Sequence, residues 1–193
     1  MADPATRTAT YADLEAVPPH LVAEIVFGNL VTHPRPSGFH GASALSLGDE
    51  LVGPFQKKRG GPGGWVFMVE PELHLGPHEV VADLPAWRDE RLPHHPKTPF
   101  IETSPDWVCE LLSPSTENMA RGPKRRIWAT YTVPRTWLID PVGRRLESYE
   151  LREGQWLLHE TYDGDIAVDA PPFAAVPFQL SALWPLKPAP DAN

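Results

Sequence analysis

The stretch Asp106-Trp107-Val108-Cys109-Glu110-Leu111-Leu112 runs without a break into Ser113-Pro114-Ser115-Thr116, and a helical pattern opens at Pro123-Lys124. A run that is apolar on both sides of a pleated strand belongs in a protein interior. A carboxylate in its middle, Glu110, is costly to bury unless something positive offsets its charge. Alternation places Asp106, Val108, Glu110 and Leu112 on one face of the strand and Trp107, Cys109 and Leu111 on the other. In the helix that follows, Lys124, Ile127, Trp128 and Tyr131 fall on one stripe, so Lys124 is expected to point at the sheet. A cation in a first helical turn opposes the positive end of the helix dipole and normally faces water, unless a buried anion lies close by. Two readings of Lys124 stay open. It either snorkels over the core edge into a plain ion pair with Glu110, or serves a chemical site with Glu110 and Asp83.

Upstream of this strand, Thr10 and Asp13 resemble a capping box that opens a short helix over Tyr11 to Val17, ended by Pro18-Pro19. Ala23-Glu24-Ile25-Val26-Phe27 and Leu30-Val31-Thr32 read as a strand pair turning at Gly28-Asn29. From Ser37 to Lys58 the apolar residues recur at helical spacing, with weak points at Gly48 and Gly53-Pro54. Short strands follow at Trp65 to Glu70, Glu72 to Leu75 and Glu79 to Leu84, with Asp83 near the end of the third. Arg88 to Pro105 reads as a long polar connection across the surface. After the third helix, Pro123 to Thr132, come a strand at Thr136 to Asp140 and a hairpin of Arg145 to Leu151 with Gln155 to Thr161. The expected class is α/β, a mixed central sheet flanked by helices.

The chain has 193 residues, enough for one domain with a substantial core, and a formal net charge of -8. That charge argues against non-specific coating of nucleic acid, which needs clustered Lys and Arg. Local basic groups do occur, at Lys57-Lys58-Arg59 and at Arg121 with Lys124-Arg125-Arg126. No apolar run is long enough for a membrane span and the first residues lack a secretory pattern, so a cytoplasmic setting is expected. With Cys109 alone in the apolar strand, no disulfide framework is possible. The 24 prolines are spread without a period and shape loops. Residues 187–193, rich in Pro and Ala, read as a flexible tail after a domain spanning 1–186.

Carboxylates converging near a lysine suit metal-dependent phosphodiester cleavage. Oxygen ligands hold magnesium, and a lysine can orient the attacking water. The block Pro105 to Thr116, then Lys124, then Val133-Pro134-Arg135-Thr136-Trp137-Leu138-Ile139-Asp140-Pro141 resembles the Uma-two family of restriction-endonuclease-type proteins, within the PD-(D/E)XK nuclease superfamily. Ala23 to Val31 is similar to that family's opening strand pair, and His40 falls where the family often has a histidine. The resemblance implies a restriction-endonuclease-like domain that cuts DNA with Mg2+ or Mn2+. Asp83 and Glu110 would be metal ligands, Glu24 a further acidic member and Lys124 the catalytic lysine. In the superfamily motif the lysine stands two residues after the second acid, a place held here by Leu112, and the family is expected to supply it from the next helix. Ala82 stands where the motif has proline, and Trp128 where the family usually has tyrosine.

Other signals point to structure. His74, His78, His94 and His95 match no zinc-ligand spacing and read as loop histidines. Ser113 and Ser115 lack any nucleophile motif and suit the strand-to-helix turn. Asp140 reads as turn chemistry, and Trp156 and Trp184 as packing. A homodimer is plausible for cutting both strands of a duplex, though no residue pattern demands it. The rival from another class is a non-catalytic protein of the same fold, structural or nucleic-acid-binding, in which the cluster is an internal ion-pair network.

Overall fold

The computed structural model describes residues 7–94 and 96–184. The expected tail at 187–193, and His95, lie outside the described residues.

Helix α1 (Tyr11–Glu15) is shorter than its sequence pattern, and both the N–H and the hydroxyl of Thr10 donate to Asp13 Oδ2, at 2.8 and 2.7 Å. Strands β1 (Leu21–Val26) and β2 (Asn29–Pro34) pair antiparallel from Leu21 opposite Pro34 to Val26 opposite Asn29. Their turn is Phe27-Gly28, one residue earlier than Gly28-Asn29. Both turn residues have positive φ, 50° and 77°, the handedness that suits the twist of a tight hairpin. Helix α2 (Gly38–Leu51) follows, with Ser37 Oγ accepting from His40 N. It widens into π-helical turns over Val52–Gln56, where Lys57 N reaches Val52 O at 2.9 Å. Gly53-Pro54 therefore changes the helical pitch without ending the helix.

Strands β3 (Trp65–Phe67), β4 (Glu72–Leu75), β5 (His78–Val81) and β6 (Leu84–Arg88) come next. β6 was not expected: the single strand read over Glu79 to Leu84 ends at Val81, and a second strand begins at Leu84 and takes up residues before the connection read from Arg88. The connection itself holds a two-residue strand, β7 (Phe100–Ile101), before the apolar strand β8 (Trp107–Leu111), every residue of which is buried. Next, α3 (Glu117–Met119), π-helical Ala120–Lys124 and α4 (Arg125–Thr130) form one continuous helical run. Lys124 thus lies inside a helix and not in a first turn, and the expected conflict with the dipole does not arise. Strands β9 (Arg135–Asp140), β10 (Arg145–Arg152) and β11 (Gln155–Asp163) follow, then the ribbon β12 (Ala167–Val168) with β13 (Phe178–Gln179).

The class is mixed α/β, with two main sheets in place of one. One has five strands in the order β2-β1-β5-β4-β7, the other six in the order β11-β10-β9-β8-β6-β3. Each contains one parallel pair, β4 with β7 and β8 with β9. The chain passes from the first sheet to the second between β5 and β6, through Ala82-Asp83. One face of β8 sends Trp107, Cys109 and Leu111 into a core shared with Leu47, Leu51 and Phe55. The other sends Val108 into a core with Ile127 and Trp128 of α4 and Leu73 and Val80 of the five-stranded sheet. Helix α4 therefore packs where the two sheets meet.

Segment 164–184, for which the sequence offered only Trp184, completes the first core. Phe173 is surrounded by the rings of Phe55, Trp65, Trp107 and Trp137, with centroids 4.8 to 5.6 Å away. Trp137 Nε1 donates to the Pro171 carbonyl at 2.9 Å, satisfying an indole that would otherwise be buried without a partner.

Candidate functional site

The seam between the sheets is where charge collects. Glu24 leaves β1, Glu110 leaves β8 and Lys124 leaves the π-helical turn, with relative exposures of 0%, 3% and 6%. Lys124 Nζ lies 3.0 Å from Glu110 Oε2 and 3.4 Å from Glu24 Oε1, and it donates to the carbonyl of Val81. The π-turn brings the lysine round: an added residue per turn re-aims the side chain, a device common at functional sites.

Both oxygens of Glu24 are engaged. Oε1 accepts from Val81 N at 2.9 Å, and Oε2 lies 3.2 Å from His33 Nε2. Val81, the last residue of β5, thus has its N–H on Glu24 and its carbonyl on Lys124. Asp83 does similar backbone work on the other sheet, its Oδ2 accepting from Leu111 N at 2.7 Å. His40 Nε2, from α2, is 3.4 Å from the same Asp83 oxygen, while His40 Nδ1 is buried without a partner. Glu110 Oε1 is likewise buried with no hydrogen-bond partner among the described residues.

The electrostatics of the group follow from this geometry. Burial alone would raise Glu24, but Lys124, His33 and the Val81 N–H hold its carboxyl down at about 2. Burial pushes Glu110 up to about 8 against the pull of Lys124, with Asp83 and Glu24 adding to the rise. Burial also disfavours charge on Lys124, yet Glu110, Glu24 and Asp83 together raise it well above an ordinary lysine. Three carboxylates share one ammonium, so the lysine stays charged while Glu110 is the acid that gives up its proton reluctantly. His33 is raised by its bond to Glu24. For His40, burial lowers the ring's pKa, but Asp83, Glu70 and the Leu111 backbone together raise it.

All of these side chains line one cavity of about 500 Å3. Glu24, Asp83, Glu110 and Lys124, the residues singled out in the sequence, are therefore neighbours. His33 was not singled out, because the second strand was taken to end at Thr32. Carried on to Pro34, the register sets Val31 opposite Glu24 and His33 one pleat further along the same face.

Other expected residues lie elsewhere. Arg125 stacks over Tyr149 at 4.0 Å, and Arg126 is exposed over Phe27 at 5.0 Å. Asp140 holds its turn through Val142 N and Gly143 N. His74 and His78 are in strands and not in loops: His74 bonds Glu72 at 2.6 Å, and His78 Nδ1 accepts from Phe27 N at 3.2 Å. Among the described residues, no group of three His, Cys, Asp or Glu side chains stands ready to hold a metal ion. Nor is any described helix long and apolar enough to cross a membrane.

The model of the Uma2 family, described as "Putative restriction endonuclease", matches residues 8–182. Among solved structures, the chain is similar to "a putative nuclease belonging to DUF820" from Anabaena variabilis, at 21% identity and a TM-score of 0.74. The match covers 91% of this chain and 97% of that one, and at such identity it speaks for the fold alone. No curated protein matches.

Proposed function

Because the chain belongs to the Uma2 family, we propose that it is a metal-dependent endonuclease that hydrolyses DNA phosphodiester bonds in this cavity. The observation that carries the proposal is Glu110, a buried carboxylate with one oxygen on Lys124 and the other without a partner among the described residues.

The donor set suits a hard divalent ion. Magnesium takes one or two protein carboxylates and completes its shell with water and substrate phosphate, so a ready-made cage of three ligands is not required. Asp83 and Glu110 would hold Mg2+ or Mn2+, Glu110 through its unpartnered oxygen. When bound, such an ion offsets phosphate charge and lowers the pKa of a coordinated water.

The chain's own residues have separable parts. Lys124 keeps its proton, so it acts as a cation that orients the attacking water and stabilises charge growing on the phosphate. Glu24, expected as a further metal ligand, has both oxygens in use, and its part in the proposal is to fix Lys124. His33 braces Glu24 from the other side. A cytoplasmic setting and a homodimer belong to the same proposal.

One observation favours the non-catalytic reading. Lys124 already has three oxygen neighbours, from Val81, Glu110 and Glu24, as an internal ion-pair network would. Calorimetric titration with magnesium and manganese separates the two. The native protein is expected to bind metal and Glu110→Ala to lose it, and absence of binding by the native protein would overturn the enzymatic reading. Plasmid cleavage then tests the chemistry.

A further inference from the structure

We infer that the substrate enters this cavity as an unpaired DNA strand, and that Arg35 holds one of its phosphates; the inference rests on the nuclease reading above.

Depth is the first argument. Glu24, Glu110 and Lys124 are at most 6% exposed, at the bottom of a cavity of about 500 Å3. That is the size range of a site for one small ligand. A duplex carries its phosphates on the outside of a stiff cylinder and cannot lower one to such a floor without giving up its pairing. A single strand can, because its backbone turns freely.

The walls supply the second argument. Leu14, Val17, Leu21 and Met119 line the cavity, each only partly buried. In a duplex the faces of a base are covered by its stacked neighbours. An unpaired base has an apolar face to lay against such a wall.

The third is the disposition of cations. Among the described residues, two Lys or Arg side chains line the cavity, Lys124 and Arg35. Lys124 is committed to its carboxylates. Arg35, on the exposed link between β2 and α2, donates Nε to the Pro19 carbonyl at 3.0 Å, which fixes the plane of the guanidinium. Its terminal nitrogens make no hydrogen bond or ion pair with any described residue. A planar fork with free donors is the shape that recognises phosphate. The acidic floor repels phosphate, so binding needs a divalent cation as well.

Fluorescence anisotropy tests this with a labelled thymidine oligonucleotide, alone and annealed to its complement, with calcium in place of magnesium to limit turnover. The single strand is expected to bind at least about tenfold more tightly than the duplex. Arg35→Ala is expected to weaken single-strand binding about tenfold and to reduce the salt slope by about one, with Arg35→Lys recovering part of both. Arg35 is exposed, and matching thermal melts exclude a folding defect. Equal or tighter duplex binding, or an unchanged Arg35→Ala, would overturn the inference. If duplex is bound and cut while single strands are not, the inference falls and the nuclease reading stands. If neither form is bound or cut, both fall.

Discussion

Lys124 Nζ lies 3.0 Å from Glu110 Oε2 and leaves Oε1 of the same carboxylate buried without a partner. That oxygen is the one the proposed metal ion would take. Removing the lysine strands both Glu110 and Glu24. Lys124→Ala is expected to lose about 3 to 5 kcal/mol of stability, the usual penalty for breaking a buried pair. Lys124→Met, which keeps the volume, should recover part of that stability and none of the cleavage. Urea melts and cleavage assays on single-stranded DNA and supercoiled plasmid read the two effects, and cleavage undiminished in Lys124→Met would remove the lysine from the mechanism.

Asp83 combines a structural and a proposed chemical duty that can be separated. Its Oδ2 satisfies the N–H of Leu111, and an unpartnered buried N–H costs about 1 to 3 kcal/mol. Asp83→Ala should therefore lose stability of that order. Asp83→Asn, whose amide oxygen can still accept, should melt near the native temperature yet bind magnesium at least about tenfold more weakly. Equal metal affinity in Asp83→Asn and the native protein would exclude it as a ligand.

The acid limb of the stability curve should carry the signature of Glu24. Its carboxyl is held at about 2, below the ordinary 4.5, so the unfolded chain binds the proton first. The stabilisation is fully present above pH 4.5 and is lost as pH falls towards 2. A displacement of this size is worth on the order of 3 kcal/mol. Denaturant melts of native protein and Glu24→Gln at a series of pH values should differ most near neutrality and converge only as pH reaches about 2. A gap independent of pH would show that the native advantage is packing and not charge.

Phe173 lies outside every strand and helix yet closes the aromatic core. Replacing it with alanine removes a ring that touches Phe55, Trp65, Trp107 and Trp137. The expected loss is about 3 to 5 kcal/mol, measured by chemical denaturation. A loss below about 1 kcal/mol, the range of surface changes, would mean that segment 164–184 is not part of the core.

The juxtaposition of Glu110 with Lys124 was legible because two periodicities, one of the strand and one of the helix, aimed both side chains at the same space. What the periodicities missed has identifiable causes. Pro123 looked like a helix start, whereas a π-helical turn carries the chain through it from Ala120 to Lys124. The one strand read over Glu79 to Leu84 is two, β5 and β6, with Ala82-Asp83 between them, because the unbroken apolar pattern does not show where the chain leaves one sheet for the other. The second strand was read only to Thr32, two residues short of Pro34, and that hid His33. Segment 164–184 gave no periodic signal beyond Trp184, yet its loop at Pro171-Pro172 delivers Phe173 to the core.

Val81 contributes to the cavity through its peptide groups, one to Glu24 and one to Lys124. Alanine scanning would pass over it, since every amino acid except proline brings the same amide. An ester in place of the amide between Val80 and Val81 would delete the N–H offered to Glu24 and leave all side chains as they were. The seam thus makes strand placement itself a reagent: a shift of one sheet against the other by a fraction of a hydrogen-bond length would detune the lysine with no change of residue at the site.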